Sequence, residues 1–253
     1  MSFAPKDSNR ICRRVSEIIE APQQIWSIQY DAAYFAGHYG RLLMDERYFN
    51  FRALYWKTAI TAIQPVAEES LMLDYGCGTG QISMAFPNTH YYDIAEYSRE
   101  LMRKRGKLVY DDVITIPAGK YDFILSSHAL EHSPRPFDDL KNFRRFVKPK
   151  GHLLLILPVE REFDKTLKAD GDYHLYCWTF QTIGNLLHAS GWEPLIQTYI
   201  YDSFGLGTLS KFLAPQRAVK LSRQLGKVKK SFESMMIVAR NDKPGANAEL
   251  TER

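Results

Sequence analysis

The sequence predicts an α/β fold in which helices cover both faces of a seven-stranded, mostly parallel sheet. Two observations lead to this prediction. Short apolar runs alternate with helix-length segments from residue 71 onward, as in chains that build parallel sheets. A long connection separates the last two strand patterns, so the last strand is expected to run antiparallel. In such sheets ligands bind beyond the carboxyl ends of the strands, where the strand order reverses.

Each element follows from a local pattern. The predicted strands are apolar segments at residues 71–75, 90–94, 108–111, 121–127, 151–157, 194–201 and 232–239. Helices are predicted at residues 46–63, 81–86, 96–105, 136–147 and 179–189. Pro65 and Pro87 limit the first two helices because proline cannot continue a helix, and Gly106 and Gly191 end the third and the last.

The 253 residues suffice for one large domain with an insertion. Residues 1–64 are predicted to form an N-terminal arm and a helical cap, and residues 65–241 the α/β domain, with a basic helical insert at 203–231. The tail, residues 242–253, carries proline, glycine and polar residues and is expected to be disordered.

The composition is that of a soluble globular protein, with 45% apolar and 25% charged residues. The longest aliphatic run, residues 153–157, is far shorter than the roughly 20 residues that cross a bilayer. The N-terminus has no apolar core after its charges, so no secretory signal is expected. Cys12, Cys77 and Cys177 form no CxxC pair and support neither a disulfide framework nor a zinc site. These observations predict a cytoplasmic protein.

The excess positive charge is concentrated in residues 211–230, which contain seven lysines and arginines and no acidic residue. Two interpretations remain open: the solvated face of a surface helix, or a patch for an anionic substrate or an anionic membrane surface. The segment lacks the interleaved aromatic residues that stack on bases, so a nucleic-acid partner is not expected.

A glycine-rich turn follows the first strand in the segment DYGCGTG, residues 74–80. A dinucleotide fingerprint requires a third glycine at position 81, but Gln81 stands there and the glycine comes one residue earlier, at Gly80. This spacing argues against NAD and favours a nucleoside ligand without phosphates.

Carboxylates follow the next two strands. Asp93 can accept hydrogen bonds from ribose hydroxyls, although an acid before a helix is also favoured by the helix dipole. Of Asp111 and Asp112, one could accept from the amine of adenine, and the other would be solvated or would cap the next turn.

Taken together, these segments resemble the class I S-adenosylmethionine-dependent methyltransferases, which have a Rossmann-like fold. The matching segments occur in the family's order and lie between residues 74 and 151, about a third of the chain. They are DYGCGTG (74–80), YDIA (92–95), DVITIP (112–117), YDFILSSHALEH (121–132) and VKPKG (147–151).

The resemblance implies that the cofactor is S-adenosyl-L-methionine and that the chain is a methyltransferase. The resemblance places Asp74, Gly76 and Gly78 at the methionine end, Asp93 at the ribose, Asp112 at the adenine amine, and Ser127 or His128 beside the sulfonium. Their neighbours Cys77, Ile94 and Asp111 are also expected to contact the cofactor.

Two departures from the family pattern concern the fold. The segment from Gly80 to Asp93 is about one helical turn short, so its helix should be truncated. Lys150 replaces a glycine, which matters only if that position needs a positive φ.

Three histidines are candidates for catalysis. His174 is predicted to lie where the acceptor binds and could act as a general base; His128 is the other catalytic candidate. Because His128 and His132 have no evident carboxylate or cysteine partner, no metal site is expected. Glu131 and His132 are interpreted as structural.

The acceptor is the least determined part of the prediction. The resemblance favours O-methylation of a small molecule or a sugar or glycan precursor. Two alternatives remain: methylation of RNA or protein through the basic insert, and a non-catalytic scaffold that binds the cofactor. The aromatic segment at residues 30–39 is interpreted as a lid helix or as part of the substrate site.

Overall fold

The computed structural model describes residues 30–160 and 173–242 of the chain. Seven strands form one sheet in the order β3-β2-β1-β4-β5-β7-β6. Their bounds are Met72–Tyr75 (β1), Thr89–Tyr92 (β2), Val109–Tyr110 (β3), Tyr121–Ser127 (β4), Val147–Pro158 (β5), Glu193–Tyr201 (β6) and Phe232–Arg240 (β7). The helices are Ala32–Met44 (α1), Glu46–Thr61 (α2), Glu96–Lys104 (α3), Pro136–Phe146 (α4), Phe180–Ala189 (α5), Leu206–Phe212 (α6) and Pro215–Lys229 (α7).

The strand pairing confirms the predicted fold class. β1 pairs in parallel with β2 and β4, β2 with β3, and β4 with β5, whereas β7 is antiparallel to both β5 and β6. The chain therefore leaves β1 towards one edge of the sheet and returns through β4 to the other. This reversal places a ligand crevice at the carboxyl ends of β1 and β4.

The two largest apolar clusters of the described residues lie on opposite faces of the sheet. Alternate residues of β5 belong to opposite clusters, because side chains of a strand alternate in direction: Leu153 and Leu155 pack in one, Leu154 and Ile156 in the other. Helices α4 and α5 cover the first cluster, and α2 and α7 the second. The central strand is thus buried on both faces, as in parallel sheets generally.

Helix α2 is one of the helices that pack directly on the sheet. Trp56 and Ile60 are fully or almost fully buried and pack with sheet residues. The helix begins after Asp45, whose carboxylate accepts the backbone N–H of Tyr48 at 2.8 Å. The remainder of the predicted N-terminal cap is α1 together with residues 1–29, and the latter lie outside the described residues.

The prediction of a helix at residues 81–86 is wrong. This segment consists of hydrogen-bonded turns, with Met84 N donating to Gly80 O at 3.0 Å and Phe86 N to Ser83 O at 2.8 Å. Pro87 ends the segment after six residues. So short a segment adds too few helical hydrogen bonds to offset the unfavourable nucleation of a helix.

Two further predicted regions are the basic insert at 203–231 and the tail at 242–253. The basic insert is helical and consists of α6 and α7. The tail that was expected to be disordered falls outside the described part from residue 243 onward. Within the described ranges no helix is both long and apolar enough to cross a membrane. Cys77 is buried and forms no disulfide within the described ranges.

The backbone at Lys150 is strained. Its φ of 63° lies in the left-handed region, which residues other than glycine rarely adopt. Its backbone N–H donates to Asn241 O at 2.8 Å, a bond that ties the start of β5 to the end of β7. Position 150, which is a glycine in the family pattern, therefore does require a positive φ.

Replacing Lys150 with glycine should raise the free energy of unfolding by about 0.5–1 kcal/mol. A left-handed conformation costs an L-residue roughly 1–2 kcal/mol, and the greater freedom of glycine in the unfolded chain offsets part of the gain. Thermal melting should show a rise of about 1–4 °C. Lys150→Ala is the matched control, because it removes the long side chain but keeps Cβ. Equal stabilisation by both variants would show that the backbone is not strained there.

Candidate active site

The glycine-rich turn after β1 depends on backbone angles that only glycine adopts freely. Gly76 and Gly78 have φ values of 77° and 51°. A Cβ on Gly76 would lie 2.5 Å from the Cβ of Ala129, in the segment after β4. Among the residues that the structure describes, a Cβ on Gly78 would meet only the Phe35 ring, at 3.8 Å. The turn is therefore pressed against the end of β4 on one side and open above Gly78, where a ligand can approach the main chain.

Asp74 and Cys77 support the turn from within the protein. The Asp74 carboxylate is buried and accepts a hydrogen bond from the Ser83 hydroxyl at 2.5 Å. Burial raises the pKa of Asp74 to about 7; the Ser83 hydrogen bond opposes this shift and the nearby charge of Asp93 adds to it. Burial likewise raises the pKa of the Cys77 thiol, so this cysteine is not a nucleophile.

Asp93 holds the glycine turn in place. Its Oδ2 accepts the backbone N–H of Gly78 at 2.7 Å, and its Oδ1 accepts that of Ala95 at 2.8 Å. Burial raises the pKa of Asp93, and the two backbone donors and Arg99 oppose the rise. The bond to Gly78 is a role that the sequence did not predict. The ribose role stays a prediction, since each carboxylate oxygen can accept more than one hydrogen bond.

The ends of β2 and β3 expose two large apolar side chains, Ile94 at 76% and Ile114 at 75%. The two neighbouring acids are placed differently. Asp112 Oδ1 accepts the backbone N–H of Ile114 at 3.0 Å and so caps a short 3₁₀ turn, whereas Asp111 is exposed and pairs with Arg103. Ile114 is not among the residues predicted from the sequence, and its exposure makes it a candidate for apolar contact with a ligand.

Unpaired hydroxyls mark the end of β4. The Ser127 Oγ is buried and has no hydrogen-bond partner within the described ranges, and the same holds for Ser126 Oγ. His128 follows with a φ of 48°, its backbone N–H donating to Ile156 O at 2.9 Å and its Nε2 lying 2.9 Å from Ser234 Oγ. Burial, with His174, His132 and Arg52 adding to it, lowers the pKa of His128 to about 4, so the imidazole is neutral at physiological pH.

Beyond the ends of β4 and β5 lies a group of histidines and glutamates that we call the polar cluster. Its members are His128, Glu131, His132, Glu160 and His174. The structure thus brings together His128 and His174, the two predicted catalytic residues.

The polar cluster is compact. His174 Nδ1 lies 2.8 Å from Glu160 Oε1, and its Nε2 lies 4.0 Å from Glu131 Oε1. His128 Nδ1 is 3.7 Å from the same Glu131 oxygen, and the rings of His132 and His174 are 4.8 Å apart. The premise that the histidines have no carboxylate partner is therefore wrong, because two glutamates lie among them. No spacing rule links Glu160 with His174 in the sequence.

Glu131 is fully buried, at 0% exposure. Burial raises its pKa to about 8, with the charge of Glu160 as a further cause. Its backbone carbonyl accepts the N–H groups of Leu175 at 2.8 Å and Tyr176 at 3.3 Å. These bonds fix the loop that carries His174 to the segment after β4. Tyr173, in the same loop, has a φ of 54°, a further strained position at the site.

The aromatic segment at residues 30–39, which includes the first two turns of helix α1, touches both halves of the site. The Phe35 ring stacks on Tyr97 at 5.0 Å near the glycine turn. The Tyr30 ring meets His132 edge-on at 6.1 Å. Helix α1 therefore adjoins the glycine turn, and Tyr30, which precedes the helix, adjoins the polar cluster.

The basic insert forms a groove with α2. Lys220, Arg223 and Lys227 of α7 line it together with Leu54 and Thr58, and its volume is about 380 Å³. The predicted basic patch is therefore present as one helical face.

Comparison with solved structures supports the fold. The protein in complex with the Trm112 methyltransferase activator of Haloferax volcanii, itself assigned as a methyltransferase, is 16% identical, with a TM-score of 0.61 over 84% of this chain and 99% of that chain. A SAM-dependent methyltransferase from Thermotoga maritima is 16% identical, with a TM-score of 0.57 over 83% and 97%. The cyclase SpnF is 17% identical, with a TM-score of 0.52 over 75% and 81%. At these identities the likeness concerns the fold alone.

The family assignment rests on the sequence match. No curated protein matches the chain. The family model of the methyltransferase domain matches residues 48–197, more than half of the 253 residues. The matched region runs from α2 to β6 and contains the glycine turn, Asp93 and the polar cluster. The chain therefore belongs to the methyltransferase family and is an enzyme of the class I, S-adenosylmethionine-dependent type.

Proposed function

We propose that this enzyme transfers the methyl group of S-adenosylmethionine to a hydroxyl oxygen of a small molecule, such as a sugar or a glycan precursor. The observation that carries the proposal is the polar cluster next to the glycine turn. Ala129, between two positions of that cluster, contacts Gly76. A hydroxyl acceptor must lose a proton as it is methylated, and imidazoles paired with carboxylates are suited to take it.

The residues at the strand ends fit the cofactor. The space above Gly78 admits a ligand to the main chain, and Ser127 Oγ is a buried polar atom without a partner in the described part of the chain. Ile94 and Ile114 offer apolar surface for a flat base, and Asp93 and Asp112 would accept from the ribose and the adenine amine. When bound, the cofactor supplies an activated methyl group on a sulfonium.

His174 is the proposed general base. Because its Nδ1 donates to Glu160 at 2.8 Å, the lone pair lies on Nε2, which faces the interior of the polar cluster. The acceptor oxygen forms its bond to the methyl carbon as the bond from carbon to sulfur breaks, and the hydroxyl proton passes to Nε2. General-base assistance contributes about 10²–10⁴ in rate, and alignment of the acceptor roughly 7–11 kcal/mol. His128, held by Ser234, is the second candidate for the proton.

Two further features support parts of the proposal. The aromatic segment at residues 30–39, with contacts to both halves of the site, would act as a lid that excludes water. The basic groove on α7 suits an anionic group, either on the acceptor or on a membrane surface. The lack of interleaved aromatic residues there speaks against RNA.

Replacing Ile94 with alanine should weaken the affinity for S-adenosylmethionine about tenfold, because the base would lose apolar contact worth about 1.4 kcal/mol. Isothermal titration calorimetry measures this directly. The melting temperature should not change, since the side chain is exposed. Val228→Ala, on the exposed face of α7, is the matched control. An unaltered dissociation constant for Ile94→Ala would exclude this side chain from the cofactor site.

Replacing His174 with alanine should lower turnover about 10²–10⁴-fold while the affinity for S-adenosylmethionine stays the same, because the residue acts on the acceptor. Turnover is measured as S-adenosylhomocysteine formation with an acceptor found by screening sugars, quinones and RNA. His188→Ala, at the exposed end of α5, is the control. Unchanged turnover in His174→Ala would contradict the assignment, and an RNA acceptor would contradict the proposed substrate class.

A further inference from the structure

Glu131 is a buried carboxylate whose oxygens accept no hydrogen bond from the described part of the chain. Its side chain is 0% exposed, and neither Oε1 nor Oε2 has a hydrogen-bond partner among the residues that the structure describes. Moving an ionised carboxylate out of water costs several kcal/mol unless a counter-charge or donors compensate. A proton or a cation can neutralise such a group.

Two imidazoles next to Glu131 favour a cation. One ligand atom from each of Glu131, His132 and His174 lies within 4.8 Å of the others. Adjacent ligands of a tetrahedral zinc ion are about 3.3–3.5 Å apart, given bond lengths of roughly 2.0–2.2 Å, so the three side chains need to close in by roughly 1 Å. Side-chain rotation covers such a distance.

The hydrogen bonds behind the two histidines are those of metal ligands. His174 Nδ1 lies 2.8 Å from Glu160 Oε1, and His132 Nδ1 lies 3.3 Å from the Tyr173 carbonyl. A histidine that binds a metal usually donates its second ring N–H to a carboxylate or to a backbone carbonyl. Here one histidine has each kind of acceptor. Both bonds place the lone pair on Nε2, the nitrogen that would bind the ion.

We propose that Glu131, His132 and His174 bind one divalent first-row transition-metal ion. Two imidazole nitrogens favour Zn²⁺, Fe²⁺ or Co²⁺ over Mg²⁺, which prefers oxygen ligands. Three protein ligands leave at least one position open, as in catalytic rather than structural metal sites. His128, although 3.7 Å from Glu131, is held by Ser234 and borders the site.

This inference rests on the proposed function where it concerns the acceptor. A hydroxyl oxygen in the open position would have its pKa lowered by the ion, so that the attacking oxygen forms near neutral pH. In that case Nε2 of His174 binds the ion and does not take the proton, which the metal-bound hydroxyl releases to the solvent. The loss of turnover in His174→Ala then arises from loss of the ion.

The test is metal binding by the full chain, measured without any acceptor. The chelator-treated protein is titrated with Zn²⁺ by calorimetry and with Co²⁺ by visible absorption. We expect about one ion per chain in both titrations, d–d bands typical of four- or five-coordinate Co²⁺, and binding of Mg²⁺ at least 100-fold weaker.

Variants locate the site. Glu131→Gln keeps the shape of the side chain but removes its charge and should weaken Zn²⁺ binding at least 100-fold, as should His132→Ala. Glu160→Gln should weaken it about 10–100-fold, because Glu160 orients a ligand and does not bind the ion. His188→Ala should bind like the original protein. Thermal melting checks that each variant is folded. If Glu131→Gln does not fold, the Zn²⁺ affinity of Glu160→Gln provides the test.

Absence of saturable Zn²⁺ and Co²⁺ binding would overturn the proposal, and so would binding that survives in the folded Glu131→Gln and His132→Ala variants. Methyl transfer to a hydroxyl at full rate by the metal-free protein would also overturn the role of the ion while upholding the proposed function. One-site metal binding that depends on Glu131, together with failure to methylate any hydroxyl, would support the metal site and contradict the proposed function.

Discussion

The close approach of Gly76 to Ala129 is the constraint on which the site depends. Glycine leaves no Cβ at a point where one would lie 2.5 Å from the Ala129 Cβ, so the turn after β1 can press against the segment after β4. β1 and β4 are parallel neighbours, so the segments that follow them lie side by side. The strand order reverses between these two strands. One packing contact thereby joins the part of the site suited to the methyl donor to the histidines and glutamates suited to the acceptor.

The site also contains three buried carboxyl groups, and each has different neighbours. Asp93 receives two backbone N–H groups, which support its charge while they hold the glycine turn. Asp74 receives one hydroxyl, and its raised pKa shows that burial outweighs that bond. Glu131 receives no hydrogen bond in the described part of the chain and lies instead among histidines. This difference separates the acids that shape the turn from the acid that is available to an ion or a proton.

The sequence predicts the fold well because its signals are local. Apolar runs mark all seven strands. The same alternation of strands and helices predicts which acids and glycines lie at the strand ends. The helix predicted at residues 81–86 is absent because a short segment before Pro87 lacks the length to nucleate one. The polar cluster could be predicted only in part. Glu160 meets His174 through the return of the chain after β5, and Glu131 becomes distinctive only through burial without donors, which no spacing shows. The fold alone does not determine the chemistry either, since a cyclase has a similar one.

The central claim is that the glycine turn and the polar cluster are two halves of one methyl-transfer site. A crystal structure of the full chain with bound S-adenosylhomocysteine tests it most directly. The account predicts that the adenine lies between Ile94 and Ile114, that the ribose reaches Asp93, and that the sulfur points past Ser127 towards His128 and His174. A product bound with its sulfur turned away from these histidines, or bound anywhere other than above Gly78, would contradict the account.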